Sequence, residues 1–316
     1  MARFKSGAII FFCTVGVLIF GRWFTAIALA CLFFYGCKEC ISFFKECKIN
    51  MLETPLKIAI LSCFFCAAIS FKALYIAMII SIIVLLSIFI YKSFKEQILY
   101  NLADLSSNIF CLIYTGFLPA HFVLLRYLND GDFYSSLLLY NLISDAIPIL
   151  TNNYIKFKNI LLPIENCIFE RGVYYCLLTI SSVFVNDLCA YYFGKNLGKT
   201  PLIKIISPKK TLEGSIAGII GGTFIFAFFG MLCAYIFKIT SLNFFNIFNW
   251  LQMIFFGICL NIIAQIGDLV ESLMKRYVNL KDSGQIIEGH GGILDRFDSH
   301  IFVFPLAYLI FTYIIK

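Results

Sequence analysis

The stretch LQMIFFGICLNIIAQIGDLVESLMKR, residues 251–276, decides how the chain is read. It opens on an apolar run, 251–266, of roughly the length that a helical membrane span needs. Across and beyond that run, Asn261, Gln265, Asp268, Ser272 and Lys275 recur at spacings of 4, 3, 4 and 3. On a helix these positions form one polar stripe. Leu260, Ile262, Ile263, Ile266, Leu269, Val270 and Leu273 cover the other faces. Polar groups are costly against lipid, so the stripe faces protein or a water-filled cleft. Two readings stand: a hydrogen-bonded seam between helices, or the wall of a site. Asp268 and Lys275 lie two turns apart, too far for a close i,i+4 pair, so each needs a partner elsewhere.

The rest of the chain is of the same kind. Of its 316 residues 61% are hydrophobic and only 14% charged, and mean hydropathy is +0.90. A soluble domain is nearer half apolar and a quarter charged, so the bilayer is the expected solvent. Further apolar runs cover 7–35 (interrupted at Gly21-Arg22), 56–71, 73–91, 109–125, 172–193, 215–237 and 301–315. The expected architecture is all-α and polytopic, with roughly seven to nine membrane helices and a cytoplasm-facing polar cleft. The first run is expected to be a retained helix rather than a cleaved signal, because GRWFT is a poor cleavage site. The thirteen cysteines sit mostly inside apolar runs and read as small apolar filler. Cys37 and Cys40 form a lone CxxC with no histidine near, which is too little for zinc.

Two parts are expected: N-terminal helices over 1–171, with a polar extension at about 130–171, and a C-terminal membrane part over 172–316 that carries the chemistry. In the latter, polar residues gather in two blocks. The first, GKNLGKTPLIKIISPKKTLEG at 194–214, holds Lys195, Lys199, Lys204, Lys209 and Lys210. Lysine-rich short loops stay cytoplasmic. Two apolar runs separate it from the second block, which starts at Asp268 and ends at His300, so both meet the same interface. The net charge of +7 matters through this placement. No nucleic-acid partner is expected; the bilayer is.

The second block ends in EGHGGILDRFDSH, 288–300. Asp295 and Asp298 share a face if locally helical, and with Asp268 they make a set of three carboxylates. Such a set repels itself unless protonated or neutralised. Magnesium accepts one or two carboxylates and takes the rest of its shell from water and phosphates. Lys275, Arg276, Lys281 and Arg296 would then meet phosphate oxygens. Gly289, Gly291 and Gly292 flank His290; this is either an ordinary tight turn or a backbone cradle for an anion. His290 is assigned a binding or positioning role. In SPKKTLEG, Lys209 and Lys210 suit a phosphate clamp and Thr211 a helix N-cap, yet the same residues satisfy a plain cytoplasmic loop, which is the commoner case. Asp187 is either a solvated interfacial carboxylate or a contact for headgroup, nucleotide or cation.

The segment SLMKRYVNLKDSGQIIEGHGGILDRFD, 272–298, resembles the signature of the phosphatidate cytidylyltransferase (CDP-diacylglycerol synthase) family: Ser272, Lys275-Arg276, Lys281-Asp282, His290-Gly291-Gly292 and Asp295-Arg296-x-Asp298. NDLCAYYFGKNLGKTPLIKIISPKKTLEG, 186–214, and Gly267-Asp268 are similar to it as well. Glu288 departs, standing where the family usually has a small residue or proline. The resemblance implies a multi-pass helical enzyme, often dimeric, that joins CTP and phosphatidic acid into CDP-diacylglycerol and pyrophosphate with magnesium, one cation or two. It implies Asp268 and Asp295 as cation ligands, with Lys275 and Asp298 completing the catalytic site and Asp298 near the metal. Phosphate contacts fall to Ser207, Lys209, Lys210 and Thr211. Asp187, Ser272, Arg276, Lys281, Asp282, His290, Gly291, Gly292 and Arg296 complete the expected substrate-binding set. A bacterial inner membrane is the expected home, with an organelle membrane the alternative. The rival readings are a CTP-dependent polyprenol kinase, which would release CDP, and a secondary transporter, whose paired broken helices and repeated halves the sequence does not display.

Overall fold

The computed structural model describes residues 16–18, 22–96, 101–128, 171–236, 246–278 and 292–313. The Gly21 break, the extension at 130–170, and the candidates Lys281, Asp282, His290 and Gly291, with Glu288, lie outside the described residues. In chain order the helices are α1 (Arg22–Glu46), α2 (Glu53–Ile69), α3 (Phe71–Glu96), α4 (Leu102–Leu112), a π-helix (Ile113–Phe117), α5 (Leu118–Arg126), α6 (Arg171–Leu197), α7 (Leu212–Ile236), α8 (Ile247–Tyr277) and α9 (Leu294–Tyr313). Two short strands, β1 (Pro201–Ile203) and β2 (Ser207–Thr211), stand between α6 and α7.

Among the described residues, each apolar run falls mainly on helix. Six spans among the described residues are long and apolar enough to cross a membrane, α4 to α5 counting as one. The remaining two runs form α2, of 17 residues, and α9, whose first turns carry Asp295, Arg296 and Asp298. The protein is a multi-pass membrane protein. Exposed Ile76, Ile79, Ile80, Ile83 and Ile90 on α3 suit an apolar surrounding such as acyl chains and not water.

The chain forms two compact units. The first comprises Met1–Cys37 and Asn50–Tyr174. Here Ser70 ends α2 in extended backbone and its Oγ accepts the Ala73 N–H at 3.1 Å, so one residue stops a helix and caps the next. Asn101 and Asp104 cap α4 reciprocally. Asp104 and Asn108 also accept the backbone N–H groups of Asn50 and Leu52, each at 2.8 Å. The π-helix precedes Pro119, which lacks the N–H of a regular ladder; the wider turn absorbs that break.

The second unit comprises Lys38–Ile49 and Tyr175–Lys316. Here α7 packs on α8 and α8 on α9. Close approach is set by glycine. A Cβ on Gly222 of α7 would stand 2.1 Å from Asn261 Oδ1. The lysine-rich block is not an open loop: β1 and β2 pair antiparallel, Pro201 opposite Thr211 and Ile203 opposite Ser207. Among the described residues this small hairpin is the one addition to the all-helical expectation.

Candidate active site

The polar stripe on α8 divides into two parts. Its inner half is a seam. Asn261 Nδ2 donates to Ser182 Oγ of α6 at 3.1 Å, and Ser182 Oγ donates to the Gly222 carbonyl of α7 at 3.0 Å. One turn on, Gln265 Nε2 donates to Asn186 Oδ1 at 3.0 Å and to the Ser215 carbonyl at 2.9 Å, while Ser215 Oγ bonds its Oε1. Neutral side chains on three helices bond one another, the usual solution for polar groups away from water, with Asn261 Oδ1 left over. The seam and the site are thus successive parts of one stripe.

The outer half is charged. Asp268 pairs with Lys210 of β2. Lys275 lies 2.5 Å from both Glu271 Oε2 and Asp295 Oδ1. The distant partners that the two-turn spacing demands are therefore Lys210 and Asp295. Glu271, only 1% exposed, was not singled out from the sequence. Its place four residues before Lys275 is the signal that could have found it.

The hairpin completes a cavity of about 520 Å³. Asp187 and Lys195 of α6, Ser207, Lys209, Lys210 and Thr211 of β2, and Gln265 and Asp268 of α8 all line it. Five of the expected substrate-binding residues, Asp187, Ser207, Lys209, Lys210 and Thr211, thus line the same cavity as Asp268. Thr211 also caps α7, its Oγ1 accepting the Gly214 N–H at 3.2 Å. The cap and the cavity wall use the same residue. Arg276 lies apart, its Nε donating to the Ile206 carbonyl in the hairpin turn at 3.2 Å. Ser272 and Arg296 are half-buried, on α8 and in the first turn of α9.

The start of α9 is held from two sides. Gly292 N–H donates to Asp295 Oδ2 at 2.8 Å. Glu39 of α1, 4% exposed, accepts the Ile293 and Leu294 N–H groups at 2.8 and 2.9 Å. A carboxylate there satisfies donors a helix start leaves open and opposes the positive end of its dipole. Glu39 lies 254 positions from Ile293, and nothing local in the sequence marks it.

Gly267 brings α9 to Asp268: a Cβ there would meet the Asp298 carbonyl at 2.5 Å. Asp298 precedes the apolar run that begins at 301. Burial first, then the charges of Asp268, Glu271 and Asp187, push its carboxyl well above the ordinary carboxylate range. Asp295 behaves oppositely. Burial alone would raise it, but hydrogen bonds with the Glu271 side chain, Lys275 and the Gly292 N–H hold it below that range. The expected three-carboxylate group of Asp268, Asp295 and Asp298 does not assemble as such. Both Asp295 oxygens are taken, by Lys275 and Gly292. Among the described residues no group of three or more His, Cys, Asp and Glu is disposed to hold an ion.

Carboxylates and lysines walling one cavity at the ends of membrane helices suit a polyphosphate more than a neutral ligand. A sequence model of the cytidylyltransferase family matches residues 1–314. The chain belongs to the cytidylyltransferase family. Among relatives within it, the phosphatidate cytidylyltransferase of Staphylococcus saprophyticus is 44% identical over 139 residues, 43% of this chain and 48% of that protein. That of Staphylococcus haemolyticus is 46% identical over 137 residues, with the same shares. The phosphatidate cytidylyltransferase of Synechocystis is 38% identical over 208 residues, 66% of this chain and 62% of that protein. The chain thus spans about half the length of the staphylococcal cytidylyltransferases it matches.

Proposed function

We propose that the chain is a phosphatidate cytidylyltransferase, moving the cytidylyl group of CTP onto phosphatidic acid at the cytoplasmic face of a bacterial inner membrane. The observation that carries this is the cavity, where Ser207, Lys209, Lys210 and Thr211 of β2 face Asp187 and Asp268. Family membership and the names of the relatives favour the same reading.

In this reading a phosphate oxygen of phosphatidic acid attacks the α-phosphorus of CTP. A new P–O bond forms, the bond to the β-phosphate breaks, and pyrophosphate leaves with that electron pair. The attacking monoester is already anionic, so no strong general base is required. Lys209 and Lys210 offset the charge on the triphosphate, and the Thr211 and Ser207 hydroxyls donate to its oxygens. Lys210 exchanges Asp268 for phosphate as substrate enters. Lys275, fixed by Glu271 and Asp295, keeps a positive charge at the start of α9 and steadies Asp295, which accepts the Gly292 N–H.

Burial first, and then the charge of Asp268 beside it, disfavour the charged form of Asp298; a divalent cation held there would offset both. Asp268 and Asp298 would hold magnesium, which needs only one or two carboxylates beside water and phosphate. When bound, it supplies neutralisation of the leaving pyrophosphate. Asp295 then serves as the residue that positions Lys275.

The test uses purified full-length chain with α-labelled CTP, phosphatidic acid and magnesium. Label should enter extracted lipid, with pyrophosphate released, only when all three are present. Label left in CDP, with the γ-phosphate in lipid, would instead identify a kinase.

A further inference from the structure

The tip of the β1–β2 hairpin carries a surface that this chemistry does not use. Ile205 is 90% exposed and Ile203 38% exposed, and Lys204 between them is exposed too. Turns ordinarily take Gly, Asn, Asp or Pro. This one takes Lys204-Ile205-Ile206. Leu202 lines the cavity. Ile203, the next residue, is not among the cavity's walls.

The level of this tip is fixed by its anchorage. The Arg276–Ile206 bond ties it to the last turn of α8. On α8, exposed Leu251, Phe255, Ile258, Ile262, Ile266, Leu273 and Tyr277 follow helical spacing. That continuous apolar stripe is the lipid-facing surface of the helix, and it ends in a tyrosine, a residue enriched at the membrane interface. Tyr277 directly follows Arg276. The tip is therefore held where the lipid-facing surface ends. An isolated isoleucine there, flanked by lysine, matches the acyl–headgroup boundary of an anionic bilayer: branched carbon below, ammonium at the phosphates.

We propose that the hairpin tip is an interfacial anchor, with Ile205 entering the bilayer and Lys204 holding the phosphates of anionic lipids. Because β2 also walls the cavity, the anchor keeps the cavity mouth at the plane where anionic lipid arrives. This last consequence rests on the proposed lipid substrate; the anchoring itself does not.

The full chain is reconstituted in bilayer discs of phosphatidylcholine, alone or mixed with phosphatidylglycerol. Ile205→Trp is made in a background of Trp23→Phe and Trp250→Phe. Brominated acyl chains should quench residue 205 strongly and aqueous acrylamide weakly. Phosphatidylglycerol should deepen the bromine quenching, and Lys204→Gln should remove about fivefold of that preference. Free quenching by acrylamide with none by bromine would place the tip in water and overturn the proposal. Protection from both quenchers would place a second copy or another protein on it, which overturns it equally. Ile205→Asp should raise KM for phosphatidic acid several-fold and leave KM for CTP unchanged; an equal rise in both would overturn the link to the cavity. A wild-type chain that transfers no label sinks the proposed reaction yet leaves the quenching result standing.

Discussion

Lys275→Ala removes a cation that lies 2.5 Å from two carboxyls at once. Its own side chain is 15% exposed, that of Glu271 1% and that of Asp295 13%, so little water replaces it. Removing one partner of a buried pair costs about 3–5 kcal/mol, because the other charge stays behind uncompensated. Uptake of a proton between Glu271 and Asp295 relieves part of this, which sets the expectation at about 3 kcal/mol, the lower end of that range. The control is Lys275→Ala with Glu271→Gln. It deletes one stranded carboxylate, so the double variant should be more stable than the single one by about 1–2 kcal/mol, within the usual range for contacting residues. Equilibrium unfolding in mixed detergent micelles, followed by circular dichroism, measures all four corners of the cycle. A loss below about 1 kcal/mol for Lys275→Ala would be that of an exposed pair and would refute the buried-cluster argument. So would strictly additive losses.

Glu39→Ala should destabilise the start of α9 by about 1.5–3 kcal/mol, the range for hydrogen bonds to charged groups, and lower kcat more than KM for CTP; Glu39→Gln should recover part of both in the same assays. Gly267→Ala forces a Cβ to within 2.5 Å of the Asp298 carbonyl and should reduce label transfer strongly, while Gly16→Ala, where an added Cβ meets nothing within 4 Å, should not. Asp268→Asn and Asp298→Asn should each raise the magnesium needed for half-maximal activity, whereas Asp295→Asn should act chiefly on stability; a magnesium shift confined to Asp295→Asn would reverse the proposed roles. The Asp295 carboxyl is held below its ordinary value of 3.8, so its contribution is present above that value and fades as pH falls through and below it. Melting curves of wild type and Asp295→Asn should therefore stay separated near neutral pH and converge under acid; constant separation would refute the assignment.

The membrane helices and the α8 stripe were legible in the sequence because hydropathy and helical spacing are local properties. Where described, the apolar runs lie on helix as their hydropathy predicts, and Asn261 through Lys275 share a face by periodicity alone. The same locality made Thr211 readable as a cap. Which carboxyl does what was not local. Asp268 and Asp295 look alike in the sequence, yet one meets Lys210 on the hairpin and the other is consumed by Lys275 and a backbone N–H. The hairpin itself was read as a cytoplasmic loop, since five lysines mark a side of the membrane and say nothing about pairing. Glu39 became a cap for α9 only because the tertiary structure carries α1 to a helix start more than 250 positions away. Ionisable groups respond to every charge and donor within a few ångströms, and that neighbourhood is assembled by packing across the chain rather than by order along it.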